Sequence, residues 1–199
     1  MQTNLFQNDA CAPSIVIDGL RHLPEYIADE EEARLIDIID QQPWRHDLKR
    51  RVQHYGYRYD YKARMVALAL NIGALPDWAA AISARLVADK WMGQKPDQLI
   101  VNEYLPGQGI APHIDCIPCF SDTIISLSLA GPCVMDFSNP VLPQKTSLLL
   151  QPRDLIILSG AARYRWQHGI AARKSDLYDG QKINRQRRIS LTFRKVILT

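Results

Sequence analysis

From about residue 98 onward the chain is a succession of short β-rich runs cut by turn signals, and this pattern constrains its fold more than any other feature. The runs are "QLIVNEY", "TIISLSLA", "CVMDF", "SLLLQ", "DLIILS" and "RISLTFRKVI". Between them fall Pro106-Gly107, Gly131-Pro132, Asn139-Pro140, Pro152 and Gly160. Branched and aromatic residues fit a pleated, half-buried surface, while Gly and Pro punctuate it. The spacing predicts an antiparallel sandwich or jelly roll. The first half reads as helical. "ADEEEARLIDIIDQQ" has Asp29 and Glu32 at capping-box spacing and an apolar stripe of Leu35, Ile38 and Ile39. "PDWAAAISARLVADKWM" places Trp78, Ile82 and Leu86 on one helical face behind Pro76. Together these predict an α+β layout, with the N-terminal helices packed on one face of a sheet.

A chain of 199 residues suits one domain with a proper core, here 1–199. Within it we expect a flexible tail at 1–13, helices and loop at 14–95 and the β core at 96–199. Hydrophobic residues at 47% and charged ones at 23% are ordinary for a soluble protein. No basic start with an apolar run marks a signal peptide, and no eighteen apolar residues run together. We therefore expect a cytoplasmic monomer that does not touch membranes, with its four cysteines reduced. Charge is unevenly placed: eight acids fall in 18–40, against only Arg21 and Arg34. Residues 44–64 reverse this with Arg45, Lys49, Arg50, Arg51, Arg58, Lys62 and Arg64, and the tail from Arg163 to Lys195 is basic too. Such a separation suits a polyanionic partner as well as a solvated face.

The stretch "APHIDCIPCF" concentrates metal-ligand types: His113, Asp115, Cys116 and Cys119. A structural zinc site needs a second ligand pair, and Cys11 and Cys133 each stand alone. A thioredoxin-like dithiol should open a helix, but here Pro118 lies inside the motif and a β run follows. Cys116 and Cys119 are thus expected to be small buried hydrophobes. His113 and Asp115 differ. On an extended segment residues i and i+2 share a face, so an imidazole and a carboxylate can reach one metal. A distal histidine would complete a two-His, one-carboxylate set with open positions, the arrangement that suits non-heme Fe(II) and dioxygen. His168 in "YRWQHGI" qualifies, although a lone histidine there also reads as a satisfied surface or core residue. In "RRISLTFRK" the residues Arg188, Ser190, Thr192 and Arg194 alternate with Ile189, Leu191 and Phe193. That is either an exposed strand with a basic wet side or a clamp for a dicarboxylate, since guanidinium forks bind carboxylates bidentately.

With "VNEYLPGQGIAPHID", "SLSLAGPCVMDF", "RYRWQHGI" and "RRISLTFRK" in this order, about residues 96–196 resemble the AlkB family of Fe(II)/2-oxoglutarate-dependent dioxygenases. The resemblance implies a double-stranded β-helix core and an enzyme that uses Fe(II), 2-oxoglutarate and O2. It implies iron ligation by His113, Asp115 and His168, and it implies that Arg194, assisted by Tyr104, pairs with the far carboxylate of 2-oxoglutarate. Asn102 and Arg188 are then expected near the chelating end. Ser190 stands where family members often have asparagine.

The resemblance extends to "RRVQHYGYRYDY", where Gly56, Tyr57 and Tyr59 match a Gly-Tyr-x-Tyr segment of the family's nucleotide-recognition lid. Basic residues interleaved with tyrosines suit phosphates and stacked bases, and they also suit a packed hairpin. Arg50, Arg51, Tyr57 and Tyr59 are the expected substrate-binding residues. The implied activity is oxidative dealkylation of N-alkylated bases in DNA or RNA, as in alkylation damage repair, releasing succinate, CO2 and an aldehyde. Single-stranded or damaged DNA, RNA or tRNA would be the partner. Two departures point elsewhere. The family's bacterial repair enzyme has an acid two positions after the HxD aspartate, where this chain has Ile117, and an aromatic residue where this chain reads "KRRV". Both look closer to the branch fused in animals to a tRNA methyltransferase, which implies hydroxylation of a modified wobble uridine as an alternative. A non-enzymatic nucleic-acid-binding module is the third reading.

Overall fold

The structure is a computed structural model and describes residues 16–46 and 48–198; the tail expected at 1–13 lies outside them. Among the described residues, and apart from a short 3-10 turn at Leu68–Leu70, twelve strands and three α-helices follow one another. They are β1 (Leu20–Leu23), α1 (Asp29–Asp40), β2 (Val52–Tyr55), α2 (Asp77–Ala88), β3 (Gln98–Tyr104), β4 (Ile110–His113), β5 (Phe120–Leu129), β6 (Cys133–Ser138), β7 (Lys145–Leu150), β8 (Leu155–Leu158), α3 (Gly160–Tyr164), β9 (Gln167–Ile170), β10 (Ser175–Tyr178), β11 (Gln181–Asn184) and β12 (Arg188–Val196). A six-stranded sheet runs β1-β8-β5-β12-β3-β2 and a four-stranded one β4-β9-β6-β7, with every pairing antiparallel. This is a jelly-roll-like core. No helix among the described residues is long and apolar enough to cross a membrane.

β12 shows how the sequence builds the layers. Its period-two alternation sends Ile189, Leu191 and Phe193 to one face, each fully buried. There they join a cluster with Leu35 and Ile39 of α1 and Ala79, Ile82 and Leu86 of α2. Burying each such side chain contributes about 1.5–3 kcal/mol, which sets the register firmly. The opposite face carries Arg188, Ser190, Thr192 and Arg194, and all four are buried. Their surroundings are the space between the two sheets. The arginines are therefore no wet side of an exposed strand.

The ends of α1 differ from expectation. Its N-cap is Ala28 and makes no side-chain cap bond. Glu32 does not close a capping box; its carboxylate accepts the Ala130 amide at 2.7 Å and faces Arg153. A long-range partner outcompetes the local cap. On the helix, Ile36 packs beside Leu35 and Ile39, in place of Ile38.

β10 and β11 form a hairpin through Asp179 and Gly180, both with positive φ (48° and 74°), the pairing a two-residue primed turn requires. Within β10, Asp176 is 1% exposed and accepts from Arg185 at 2.7 and 2.8 Å, Arg173 at 2.6 Å and the Val134 amide at 3.1 Å. Burial pushes the Asp176 carboxyl up, but Arg185, the Val134 amide and Arg173 outweigh it and hold it below the usual range. A carboxyl depressed in the folded state gives stability present above its unfolded pKa, near 4, and lost as pH falls through the lower folded value. Asp176→Asn removes the charge opposite a buried arginine, so about 3–5 kcal/mol of stability should go. Denaturant melts at pH 7 and pH 3 check both points: the variant should lose most at pH 7 and least at pH 3.

Candidate metal and anion site

β4 and β9 pair so that His113 lies opposite His168, with ring centroids 4.4 Å apart. Gly169 permits this approach, because a Cβ there would meet the Pro112 nitrogen at 2.9 Å. Asp115 follows two residues beyond His113, and its Oδ1 lies 3.8 Å from His113 Nε2. One ligand atom each from His113, Asp115 and His168 falls within 4.8 Å of the others. His113 Nδ1 lies 2.9 Å from the Ala111 carbonyl. A proton on Nδ1 donates to that oxygen and leaves Nε2 its lone pair, the tautomer a metal ligand needs. Burial pushes the His168 imidazole down to about 4, with Asp115 opposing. It stays neutral at physiological pH. Burial raises the Asp115 carboxyl, but Arg194 and the two histidines overcome this and keep it ionised. Two imidazoles and a carboxylate on one side of a cavity fit a divalent metal with open positions.

The cavity encloses about 660 Å³ between the sheets. Its walls contain Asn102, Tyr104, Arg188, Ser190 and Arg194 together with the three metal-ligand types. Arg194 donates to Asp115 at 3.2 Å and 3.4 Å, which places it at the metal end. Arg188 sits six residues away along β12, about 20 Å of strand. Its guanidinium lies 5.6 Å from the Tyr104 ring centre and donates from Nη2 to Ser128 at 3.0 Å. Nε and Nη1 of Arg188 are buried and carry no hydrogen bond among the described residues, although the Cys133 thiol lies alongside. Unspent donors on a buried cation are costly unless an anion meets them. The two arginines thus differ in what they touch among the described residues. Arg194 is tied to Asp115, whereas Arg188, at the other end of β12, keeps Nε and Nη1 without a hydrogen bond among the described residues.

Of the four expected substrate contacts, two line the cavity. Arg50 donates to Asn102 Oδ1 at 2.9 Å, and Tyr59 stands at the wall. Arg51 lies elsewhere, paired with Glu103 through two bonds and stacked 4.5 Å over Trp44. Tyr57 is not part of the wall; its carbonyl accepts from Gln98 at 3.1 Å. For the arginines, adjacent residues leading into β2 face opposite ways, which separates Arg50 from Arg51; Tyr57 and Tyr59 lie beyond β2, where alternation does not apply. The walls also include Tyr61, Arg64 and Gln167, which the sequence did not single out. Tyr61 and Arg64 belong to the same basic, tyrosine-rich stretch, so that signal covered them.

The cysteines depart from expectation as well. Cys116 and Cys119 are joined by a disulfide, with Cα atoms 5.3 Å apart. The turn that brings the Cys119 amide to the Cys116 carbonyl at 3.3 Å supplies the short Cα separation such a bond needs. Cys133 is a free, buried thiol.

The sequence model described as the 2OG-Fe(II) oxygenase superfamily matches residues 19–194. "Uncharacterized protein L905" of Acanthamoeba polyphaga mimivirus is 37% identical over 91% of this chain and 86% of its own length. The mouse "tRNA (carboxymethyluridine(34)-5-O)-methyltransferase ALKBH8" is 37% identical over 89% of this chain, which spans 30% of that protein. Among solved structures, that of OsALKBH1 superposes with a TM-score of 0.67 at 16% identity, covering 89% of this chain and 96% of that one.

Proposed function

Because the chain belongs to the 2OG-Fe(II) oxygenase superfamily, and within it to the AlkB family, we propose that it hydroxylates a C–H bond on a nucleic-acid base. Bound Fe(II), 2-oxoglutarate and O2 supply an oxidation coupled to decarboxylation of the cosubstrate to succinate and CO2. The residues do the rest. His113, Asp115 and His168 hold the iron, and Arg194 fixes Asp115 beside it. Arg188, with Tyr104, takes the far carboxylate of 2-oxoglutarate on its unspent Nε and Nη1. Asn102 and Ser190 lie between the two arginines on paired strands. Residues 44–64 serve as the nucleotide lid, with Arg50 and Tyr59 over the bound base and Tyr61 and Arg64 beside them. A duplex would have to flip its base into the cavity, so single strands are favoured. Residues 1–199 act as one dioxygenase domain. The intact constellation argues against a module that only binds.

Two substrate readings remain: dealkylation of an N-alkylated base, with the hydroxylated carbon leaving as an aldehyde, and hydroxylation of a modified tRNA uridine. The charge of the cavity walls favours the second. With Asp115, the one carboxylate among the described wall residues, paired to Arg194 and with Arg188 assigned to 2-oxoglutarate, Arg50 and Arg64 are the wall cations left to face a base. A cationic base such as 1-methyladenine finds no free anion there. Beside one arginine at about 5 Å it would meet roughly 3 kcal/mol of repulsion at an effective dielectric of about 20. A neutral or anionic base, such as the carboxymethyluridine that the mouse relative's name specifies, meets none.

The test is product analysis by mass spectrometry on RNA containing 1-methyladenine, RNA containing the neutral N6-methyladenine, and bulk tRNA, each with and without Fe(II) and 2-oxoglutarate. Hydroxylated tRNA uridine should form at least tenfold faster than 1-methyladenine is lost; preferential loss of N6-methyladenine would instead mean dealkylation of a neutral base. Faster loss of 1-methyladenine would return the chain to alkylation repair.

A further inference from the structure

The loop that carries Asp115 is held from behind by a buried arginine that neither the metal ligands nor the 2-oxoglutarate site use. Arg163 lies on α3 and is 2% exposed. Its guanidinium donates to the carbonyls of Asp115 at 2.9 Å, Cys116 at 3.1 Å, Phe120 at 3.3 Å and Ser121 at 3.3 Å. Every hydrogen bond of this side chain among the described residues ends on a main-chain oxygen. A flat fork of five N–H groups can serve four carbonyls at once, whereas an ammonium presents three donors at a single point.

The position of these carbonyls matters. The disulfide closes the turn between Cys116 and Cys119 but fixes neither Asp115 before it nor Phe120 and Ser121 after it. Arg163 ties both flanks. On the other side, the Arg64 carbonyl lies 3.4 Å and 3.6 Å from the two sulfurs, so the loop lies between the stretch that carries Arg64 and α3. Asp115 reaches the metal on a short side chain, and its peptide has no slack to absorb a shift of the loop. Metal-site geometry tolerates errors of only about 0.5 Å.

We propose that Arg163 is a positioning residue of the metal centre: it fixes the main chain on which Asp115 is carried and so sets how that carboxylate meets the metal held by His113 and His168. The proposal rests on the reading of these three residues as ligands.

The experiment uses metal-free full-length protein titrated with Co(II), followed by its visible absorption band, beside thermal melts. Wild type should bind one Co(II). Arg163→Met should weaken Co(II) binding by about 10–100-fold, the usual effect of losing a group that orients a ligand, and shift the band. Arg163→Lys should give a smaller loss and a partial return of the band, with a melting temperature near wild type. Variants that fold and bind Co(II) with wild-type affinity and spectrum overturn the proposal. If Arg163→Met does not fold, Arg163→Lys decides; a lysine variant that also fails to fold makes Arg163 a folding residue and overturns it too. A wild-type protein with no Co(II) affinity refutes the ligand assignment itself, which separates that failure from this one.

Discussion

His113→Ala, Asp115→Ala and His168→Ala should each abolish 2-oxoglutarate-dependent succinate release. Each residue supplies one of three ligand atoms gathered within 4.8 Å, and removing any one leaves the iron with two protein ligands where the two-His, one-carboxylate set provides three. The three variants should nevertheless differ in stability. His113 is half-buried, and the one hydrogen bond of its ring among the described residues is from Nδ1 to the Ala111 carbonyl, so its loss should cost little. Asp115→Ala strips the carboxylate from Arg194, which is 8% exposed and donates to both of its oxygens. Breaking one side of a buried pair typically costs about 3–5 kcal/mol. The expected pattern is therefore three inactive variants, of which Asp115→Ala alone melts markedly lower without metal. Succinate assays and thermal melts on the metal-free chains check it. Turnover in any of the three would remove that residue from the metal site.

The elements legible in the sequence were those whose side chains meet a partner with a fixed period. β3 starts and ends where the run "QLIVNEY" does, and β12 carries the alternation of its arginines and aliphatics into opposite layers. His113 and Asp115 could be read as a pair because i and i+2 share a face. Four-residue strands such as β1, β4 and β9 carry too few side chains for a period to show, and they owe their place to partners far along the chain. The Asp179-Gly180 turn was a local signal that could have revealed β10 and β11. The disulfide and the capping of α1 were decided by tertiary partners: the loop geometry at Cys116 and Cys119, and the Ala130 amide at Glu32. The same limit applies to the arginines. Sequence placed two cations on one face of a strand, but which lies beside the metal depends on where β4 and the loop after it cross β12.

That dependence is what separates Arg188→Ala from Arg194→Ala. If Arg188 takes the far carboxylate, its removal leaves a dicarboxylate with one charged end unpaired in a buried chamber. The loss is on the order of 3–5 kcal/mol, and at 1.4 kcal/mol per decade the 2-oxoglutarate requirement should rise by roughly two to four orders of magnitude. Metal binding in the absence of 2-oxoglutarate should be unchanged, because Arg188 bonds Ser128 and faces Tyr104, and none of its bonds goes to a metal ligand. Arg194→Ala should show the reverse emphasis. It releases Asp115 from its cation and unsettles the carboxylate as a ligand, so metal affinity should fall even without cosubstrate. Titrating 2-oxoglutarate by succinate release, beside Co(II) titration of each variant, reads the two effects apart. Arg188→Ala with a wild-type 2-oxoglutarate requirement, together with Arg194→Ala raising that requirement at unchanged metal affinity, would restore Arg194 to the far end. In that case the Arg194–Asp115 contact would have to give way when the cosubstrate binds, since one guanidinium cannot serve both ends of the chamber.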